Sequence, residues 1–330
     1  MTASSPAFPT VSMPGGQASV RNLPVSLFGA VIGLCGLALA WRFAHASLGA
    51  PAMVGEAIGA FAAGVFVLVA SAYLVKLARH PAAVHAEFHH PVAGNFFATI
   101  TISILLLAAV IEPYSTLAAC AIWTAGAIAT FTLCFVVVSR LLKGQVDASH
   151  AVPAWLMPGV ATLNIPLAGG HMPMGWAAEL NLVACAVGSV LAVVLFALII
   201  GRLVHRDPLE PAMTPSLMIL VAPFAVGFLA YTNVVGGVDR FAGLLFYFGL
   251  FMFAVVAPKV FRSRAPFSPI WWTIGFPVAA LVNAAMKYAQ FRASTPLWIL
   301  AIALLATLTL ALAILTVRTV RIALNGELFR

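Results

Sequence analysis

Apolar runs bounded by charges or turn residues fill this chain almost from end to end, each about long enough to cross a bilayer. They cover roughly 23–45, 51–78, 91–112, 115–142, 153–170, 174–203, 212–234, 240–260, 269–289 and 295–320. A spanning helix needs about 20 apolar residues, and no strand-like alternation competes with this reading. The chain is 63% hydrophobic and only 8% charged, against about 25% charged in a soluble domain. The runs therefore predict an all-α integral membrane protein with ten transmembrane helices and one membrane domain over 23–320. Residues 1–22 are rich in Pro, Gly and Ser and read as a flexible tail, without the basic and apolar regions of a signal peptide. Residues 321–330 read as a short C-terminal tail.

The basic residues sort by side. Thirteen of the 17 Lys and Arg residues, Arg21, Lys76, Arg79, Arg140, Lys143, Arg202, Arg206, Lys259, Arg262, Arg264, Arg318, Arg321 and Arg330, fall on one side of the ten-span frame. The other four, Arg42, Arg240, Lys287 and Arg292, fall opposite. The positive-inside rule then predicts cytoplasmic termini, and a multi-pass protein of the cell's inner (plasma) membrane is expected. The formal charge of +8 reads first as this topological excess, with attraction for anions as the second reading.

A repeat lies within the ten spans. Aligned on their first proline, the odd spans begin Leu23-Pro24-Val25, His90-Pro91-Val92, Val152-Pro153-Ala154, Thr214-Pro215-Ser216 and Ser268-Pro269-Ile270, spaced by 67, 62, 62 and 54 residues. A glycine or second proline follows within two or three turns: Gly29 and Gly33, Gly94, Pro158 and Gly159, Pro223, and Gly275 with Pro277. The even spans carry no interior proline across 52–78, 115–142, 174–203, 240–257 and 297–320. Five helical hairpins follow, each a broken helix and a regular one. Irregular backbone at membrane depth must be surrounded by protein or a water-filled cavity. The broken helices are therefore expected inside, in a quasi-five-fold ring around a central pore; kinks that serve packing alone are the alternative.

Residues near the kinks are the candidates to line that axis: Phe28, Gly29 and Gly33; Asn95, Phe96 and Thr99; Pro158, Thr162 and Asn164; Ala222, Pro223 and Gly227; Ile274, Phe276 and Pro277. No Asp, Glu, Lys or Arg occupies the central turns of the odd spans, and Glu112 and Lys287 lie near helix ends. Coupled carriers place ionisable groups within the membrane; an uncharged path binds an ion weakly and releases it quickly. Exposed N–H groups at helix starts favour anions. On the residues alone, Phe276 is either a hydrophobic constriction or an ordinary packed aromatic.

With these pieces in order, the chain resembles the TehA-type tellurite-resistance/C4-dicarboxylate transporter (TDT) family, which includes the yeast malate permeases and the slow-type anion channels of plant guard cells. The resemblance runs from about Leu23 to Phe329. It is carried by Leu23-Pro24 through Phe28-Gly29 to Gly33, Glu87-Phe88-His89-His90-Pro91-Val92, Leu209-Glu210-Pro211, Ala222-Pro223, Trp271-Trp272 leading to Phe276-Pro277, and Asn325-Gly326-Glu327-Leu328-Phe329. It implies a pore of five inner helices ringed by five outer ones, a homotrimer, and a ninth-helix phenylalanine that occludes the pore, which falls on Phe276. Phe28 matches a pore-facing aromatic of the first helix. The short tails depart from the plant channels, whose long tails carry phosphorylation control.

The function expected is therefore an anion channel or facilitator for chloride, nitrate, a dicarboxylate or an oxyanion. A proton-coupled malate-like carrier or a tellurite exporter is the alternative. No catalytic dyad or nucleophile motif lies in a span, so no enzyme, cofactor or nucleic-acid partner is expected; the partners are small anions and the lipid bilayer. His80, His85, His89, His90 and Glu87 offer metal-ligand types, but the family frame assigns the Glu87–Pro91 part to a loop between the second and third helices, and no metal site is predicted. Cys35, Cys120, Cys134 and Cys185 sit in apolar runs with no CxxC pair and read as buried small hydrophobes without a disulfide.

Overall fold

The computed structural model describes residues 19–144 and 147–329, and among these there is no strand. In chain order the helices are α1 (Gly29–Leu48), α2 (Ala52–Arg79), α3 (Pro81–His89), α4 (Ala98–Ile111), α5 (Thr116–Leu142), α6 (Met157–Gly169), α7 (Ala177–His205), α8 (Ala222–Val234), α9 (Arg240–Phe261), α10 (Gly275–Arg292) and α11 (Thr295–Leu324). The expected flexible tail lies largely outside the described residues; its last part, Val20–Asn22, forms a 3-10 turn. The last helix continues past residue 320 to Leu324, and the chain then turns back. There the Phe329 carbonyl accepts from Ser19 N at 2.8 Å and Asn22 Nδ2 at 3.1 Å.

Every odd span begins as 3-10 helix and then becomes α-helix. Val25–Phe28 leads into α1, Ala93–Phe97 into α4, Pro153–Leu156 into α6, Pro211–Val221 into α8 and Pro269–Ile274 into α10. Pro158 and Pro223 are the second residues of α6 and α8, and Pro277 is the third of α10. There the missing N–H falls among donors that have no helical acceptor anyway. The ring also clashes with an α-helical turn before it, and the chain upstream tightens to 3-10. The 3-10 form rises about 2.0 Å per residue against 1.5 Å. The 17-residue span Pro153–Gly169 therefore reaches roughly 28 Å, close to the hydrocarbon thickness. In the second span the switch at Phe97–Ala98 has no proline or glycine beside it.

The broken helices are inside. In the four odd spans of 19 or more residues, 72–78% of the central window is buried, against 22–33% in the five even spans. In the short span every residue of Pro153–Gly169 except Leu167 is buried. Around the axis α1 packs on α4, α4 on α6, α6 on α8, α8 on α10 and α10 back on α1, which closes the ring. Each outer helix packs on its own inner partner and on the next: α5 on α4 and α6, α7 on α6 and α8, α9 on α8 and α10, α11 on α10 and α1. Leu68, Phe135, Val190, Leu244 and Leu310, one per outer helix, stand exposed, as a lipid-facing belt requires.

Small residues close the seam between the first and last inner helices. A Cβ on Gly29 would meet Trp272 Cβ at 3.1 Å, one on Gly33 would meet Gly275 Cα at 3.4 Å, and one on Gly36 would meet Ala279 Cβ at 2.7 Å. Spacings of four and three put these glycines on one face, and their missing side chains let the backbones approach.

Residues 81–89 form a helix, not the loop expected between the second and third spans. Pro81 at its first position starts α3. Glu87 then binds the beginning of the first inner span. Its Oε1 accepts from Val25 N at 2.8 Å, and its Oε2 accepts from Tyr73 Oη at 2.9 Å and Lys76 Nζ at 2.5 Å. Lys76, 3% exposed, also donates to Leu23 O at 2.7 Å.

Gly36→Ala is expected to destabilise the protein by about 1–3 kcal/mol through overpacking. Gly64→Ala on α2, where an added Cβ meets nothing within 4 Å, is expected to be neutral or stabilising by up to ~1 kcal/mol. Melting of the purified variants in detergent checks both signs. Glu87→Gln removes the charge facing buried Lys76 and is expected to cost about 3–5 kcal/mol, with part recovered in Lys76→Met/Glu87→Leu; an unchanged melting temperature for Glu87→Gln contradicts this role of α3 as a latch on the first inner span.

Candidate functional site

A cavity of about 100 Å³ lies on the ring axis, lined by Gly36, Leu39, Leu106, Leu167, Leu229, Asn233, Phe276, Ala280 and Asn283. All five inner helices contribute: α1, α4, α6, α8 and α10. That volume holds a small anion with several waters. The wall is apolar, two asparagines are its polar members, and no lining residue is charged.

Exposure grades along the axis. Gly36, Leu106, Phe276 and Ala280 are buried, whereas Leu39, Leu167, Leu229, Asn233 and Asn283 are half-buried. Of the half-buried set, Leu167, Leu229 and Asn233 lie in the C-terminal halves of their helices, whereas Phe276 is at the start of α10, so Phe276 marks the end of the cavity nearer the helix starts. Phe276, 4% exposed, is the second residue of α10, immediately after the 3-10 segment. The change of helix type sets its ring at this level, and Pro277 follows it.

Residues spaced by seven, or by three and four, share a helix face. Thr99 therefore shares the face of Leu106, Asn164 that of Leu167, and Ala222 that of Leu229 and Asn233. Thr99 Oγ1 donates to Phe96 O at 2.6 Å and approaches Val25 O at 3.3 Å. Asn164 Nδ2 donates to Val160 O at 2.8 Å, and its buried Oδ1 has no hydrogen-bond partner among the described residues. Asn95 Nδ2 donates to Pro91 O at 3.0 Å, and Asn95 and Phe96 are buried in the 3-10 segment before α4. Ile274 is buried at the end of the last 3-10 segment.

Other candidates point elsewhere. The Phe28 ring lies edge-on to Phe66 and Tyr73, with centroids 6.1 and 5.9 Å away, on the outer helix α2. Its position between the two helices of its own hairpin differs from the expected place on the axis; aromatic edge contacts inside the hairpin hold it there. Gly29 and Gly33 occupy the α1–α10 seam. Thr162 lies against Cys134 of α5, and its hydroxyl donates to Pro158 O at 2.8 Å. Pro158, nine residues before Leu167, and Gly227, two before Leu229, fall on the opposite faces of their helices. Pro223 lies one residue beyond axial Ala222.

The sequence reading missed the upper wall and its polar rim. Asn283 Nδ2 donates to Gly36 O at 3.1 Å and Ala279 O at 2.8 Å. Asn233 Nδ2 donates to Pro166 O at 3.2 Å and Leu167 O at 3.0 Å, near the end of α6. The signal was a period of three and four along α10, Phe276-Ala280-Asn283-Lys287, which the kink residues obscured.

Comparison with known proteins fits this architecture. The family model described as SLAC1, voltage-dependent anion channel, matches residues 22–320. The chain is 27% identical over 271 residues to the tellurite resistance protein TehA homolog of Haemophilus influenzae, covering 81% of each chain. It is 26% identical over 313 residues to the S-type anion channel SLAH3 of Arabidopsis thaliana, covering 90% of this chain and 48% of that protein. An uncharacterized transporter of Methanocaldococcus jannaschii is 24% identical over 289 residues, covering 81% of this chain and 84% of its own. A ring of broken helices around an uncharged axial cavity and a family match across nearly the whole membrane domain lead to one assignment: the chain is a multi-pass membrane protein that belongs to the SLAC1 voltage-dependent anion channel family.

Proposed function

We propose that this protein passes small anions along the ring axis and that the Phe276 ring occludes the path. The observation that carries this reading is the axial cavity, which touches all five inner helices and ends on Phe276. An aromatic at a dry, narrow level excludes water and hydrated ions, so its removal joins the cavity to the ring's other face. The uncharged wall favours passage over tight binding, and no carboxylate on it offers a site for coupled proton transfer. On the opposite face all five inner spans begin. Helix starts there direct N–H groups and positive dipole ends towards an approaching anion.

The same proposal includes the orientation and the assembly. The outer helices end in basic residues, with Lys76 and Arg79 on α2, Arg140 on α5, Arg202 on α7, Lys259 on α9 and Arg321 on α11. The positive-inside rule puts these ends and both termini in the cytoplasm, with the protein in the plasma membrane. The family resemblance adds a homotrimer.

Expression in oocytes or reconstitution in bilayers tests the central part. Phe276→Ala is expected to raise anion current well above wild type in chloride or nitrate, and comparison with malate then ranks the anions. A folded, surface-expressed Phe276→Ala protein without current contradicts the channel reading. Saturable, proton-dependent uptake of malate or tellurite in proteoliposomes, without single-channel events, supports a coupled carrier instead.

A further inference from the structure

The C-terminal face of the ring presents an electrostatic difficulty for an anion path. All five inner helices end there. Each helix C-terminus carries about half a negative charge on its unpaired carbonyls. The α6 end contributes the Pro166 and Leu167 carbonyls, which accept from the Asn233 amide, and the Gly169 carbonyl, which accepts from the Asn181 amide and from Met172 N. An anion leaving or entering the cavity on this face meets partial charges of its own sign.

One cation is placed to reverse that field. Lys287 is one turn beyond Asn283 and continues the α10 face that holds Phe276, Ala280 and Asn283. It is half-buried, and its Nζ donates to Asn233 Oδ1 at 2.9 Å. Asn233 itself lines the cavity. Among the described residues no carboxylate lies within 4.0 Å of Lys287 Nζ. The other basic residues of this side differ. Arg42 is held by Glu56 at 2.9 and 2.8 Å and by Val110 O at 2.8 Å. Arg240 and Arg292 are exposed. Asn233 uses both its amide ends: Nδ2 neutralises the freed α6 carbonyls, and Oδ1 holds the ammonium beside the cavity. One of the three ammonium protons is engaged there, and the remaining donor capacity suits a small anion.

We propose that Lys287, held by Asn233, forms an anion-binding station at the C-terminal mouth of the axis, where a halide or nitrate pauses between bulk water and the Phe276 level. This rests on the reading of the axis as an anion path. The station is a full charge beside a wet rim, not a charge in the dry wall, so it concentrates anions at the mouth without trapping them at the constriction.

Two measurements test it. Wild-type crystals grown with bromide replacing chloride are expected to show an anomalous peak in contact with Lys287 Nζ, lost in Lys287→Gln. A wild-type map without that peak overturns the station whether or not the protein conducts. In a Phe276→Ala background, Lys287→Gln is expected to lower current at low chloride about fivefold, with Lys287→Arg restoring most of it. Equal currents in all three proteins also overturn it. A silent Phe276→Ala parent counts against the channel reading instead, and the bromide map then decides the station by itself. A purely structural role for Lys287 would lower melting temperature in Lys287→Gln without a bromide peak in wild type.

Discussion

Backbone hydrogen bonding at membrane depth is the constraint on which this structure depends. Water is absent from the bilayer core, and each orphaned peptide group costs several kcal/mol. Five helices change from 3-10 to α form within their spans and loosen their own hydrogen-bond ladders. Polar side chains of neighbouring helices lie against their carbonyls. Thr99 and Ser103 of α4 reach Val25 O and Phe28 O in the first span, at 3.3 and 3.4 Å. Trp123 of α5 donates to Ile165 O at 3.0 Å, and Asn181 of α7 to Gly169 O at 2.8 Å. Trp123 and Asn181 belong to regular outer helices, so the outer ring supplies donors to the C-terminal part of α6.

The same constraint links the fold to its axis. A straight, fully bonded α-helix exposes only side chains, and five of them with apolar faces would collapse into a core. Tightened starts and a seam at Gly29, Gly33 and Gly36 set the register of α1 against α10. The ring closes there, while Leu106, Leu167 and Leu229 face a space none of them fills. Phe276 fills the end of that space because the helix changes type one residue before it. Position in the hydrogen-bond ladder, more than chemical identity, distinguishes this phenylalanine from Phe28, which the same kind of switch turns towards α2.

Much of this was legible in the sequence. Apolar length and proline phase announced ten spans, their pairing and which member of each pair is broken, because those features report bilayer thickness and a missing N–H directly. The site was less legible. Gly29 and Gly33 read as lining because they lie near the kink, but they face Trp272 and Gly275 in the seam. Thr162 reads as polar lining, yet it bonds its own helix and faces Cys134. Leu106, Leu167 and Leu229 carry no signal that separates a cavity wall from a core. Lys287 reads as a helix-end charge until its bond to Asn233 brings it beside the cavity. The α3 latch was hidden because Glu87 acts on Val25, 62 residues earlier.

The central claim is that the cavity axis is the route anions take. Cysteine accessibility with a small anionic thiol reagent, in a Phe276→Ala protein freed of its native cysteines, tests it most directly. Cysteine at Ala222, Leu229 or Ala280 is expected to react and block the current, while cysteine at Gly227, on the opposite face of α8, leaves it unchanged. Block at Gly227 with no effect at the three axial positions would contradict the account.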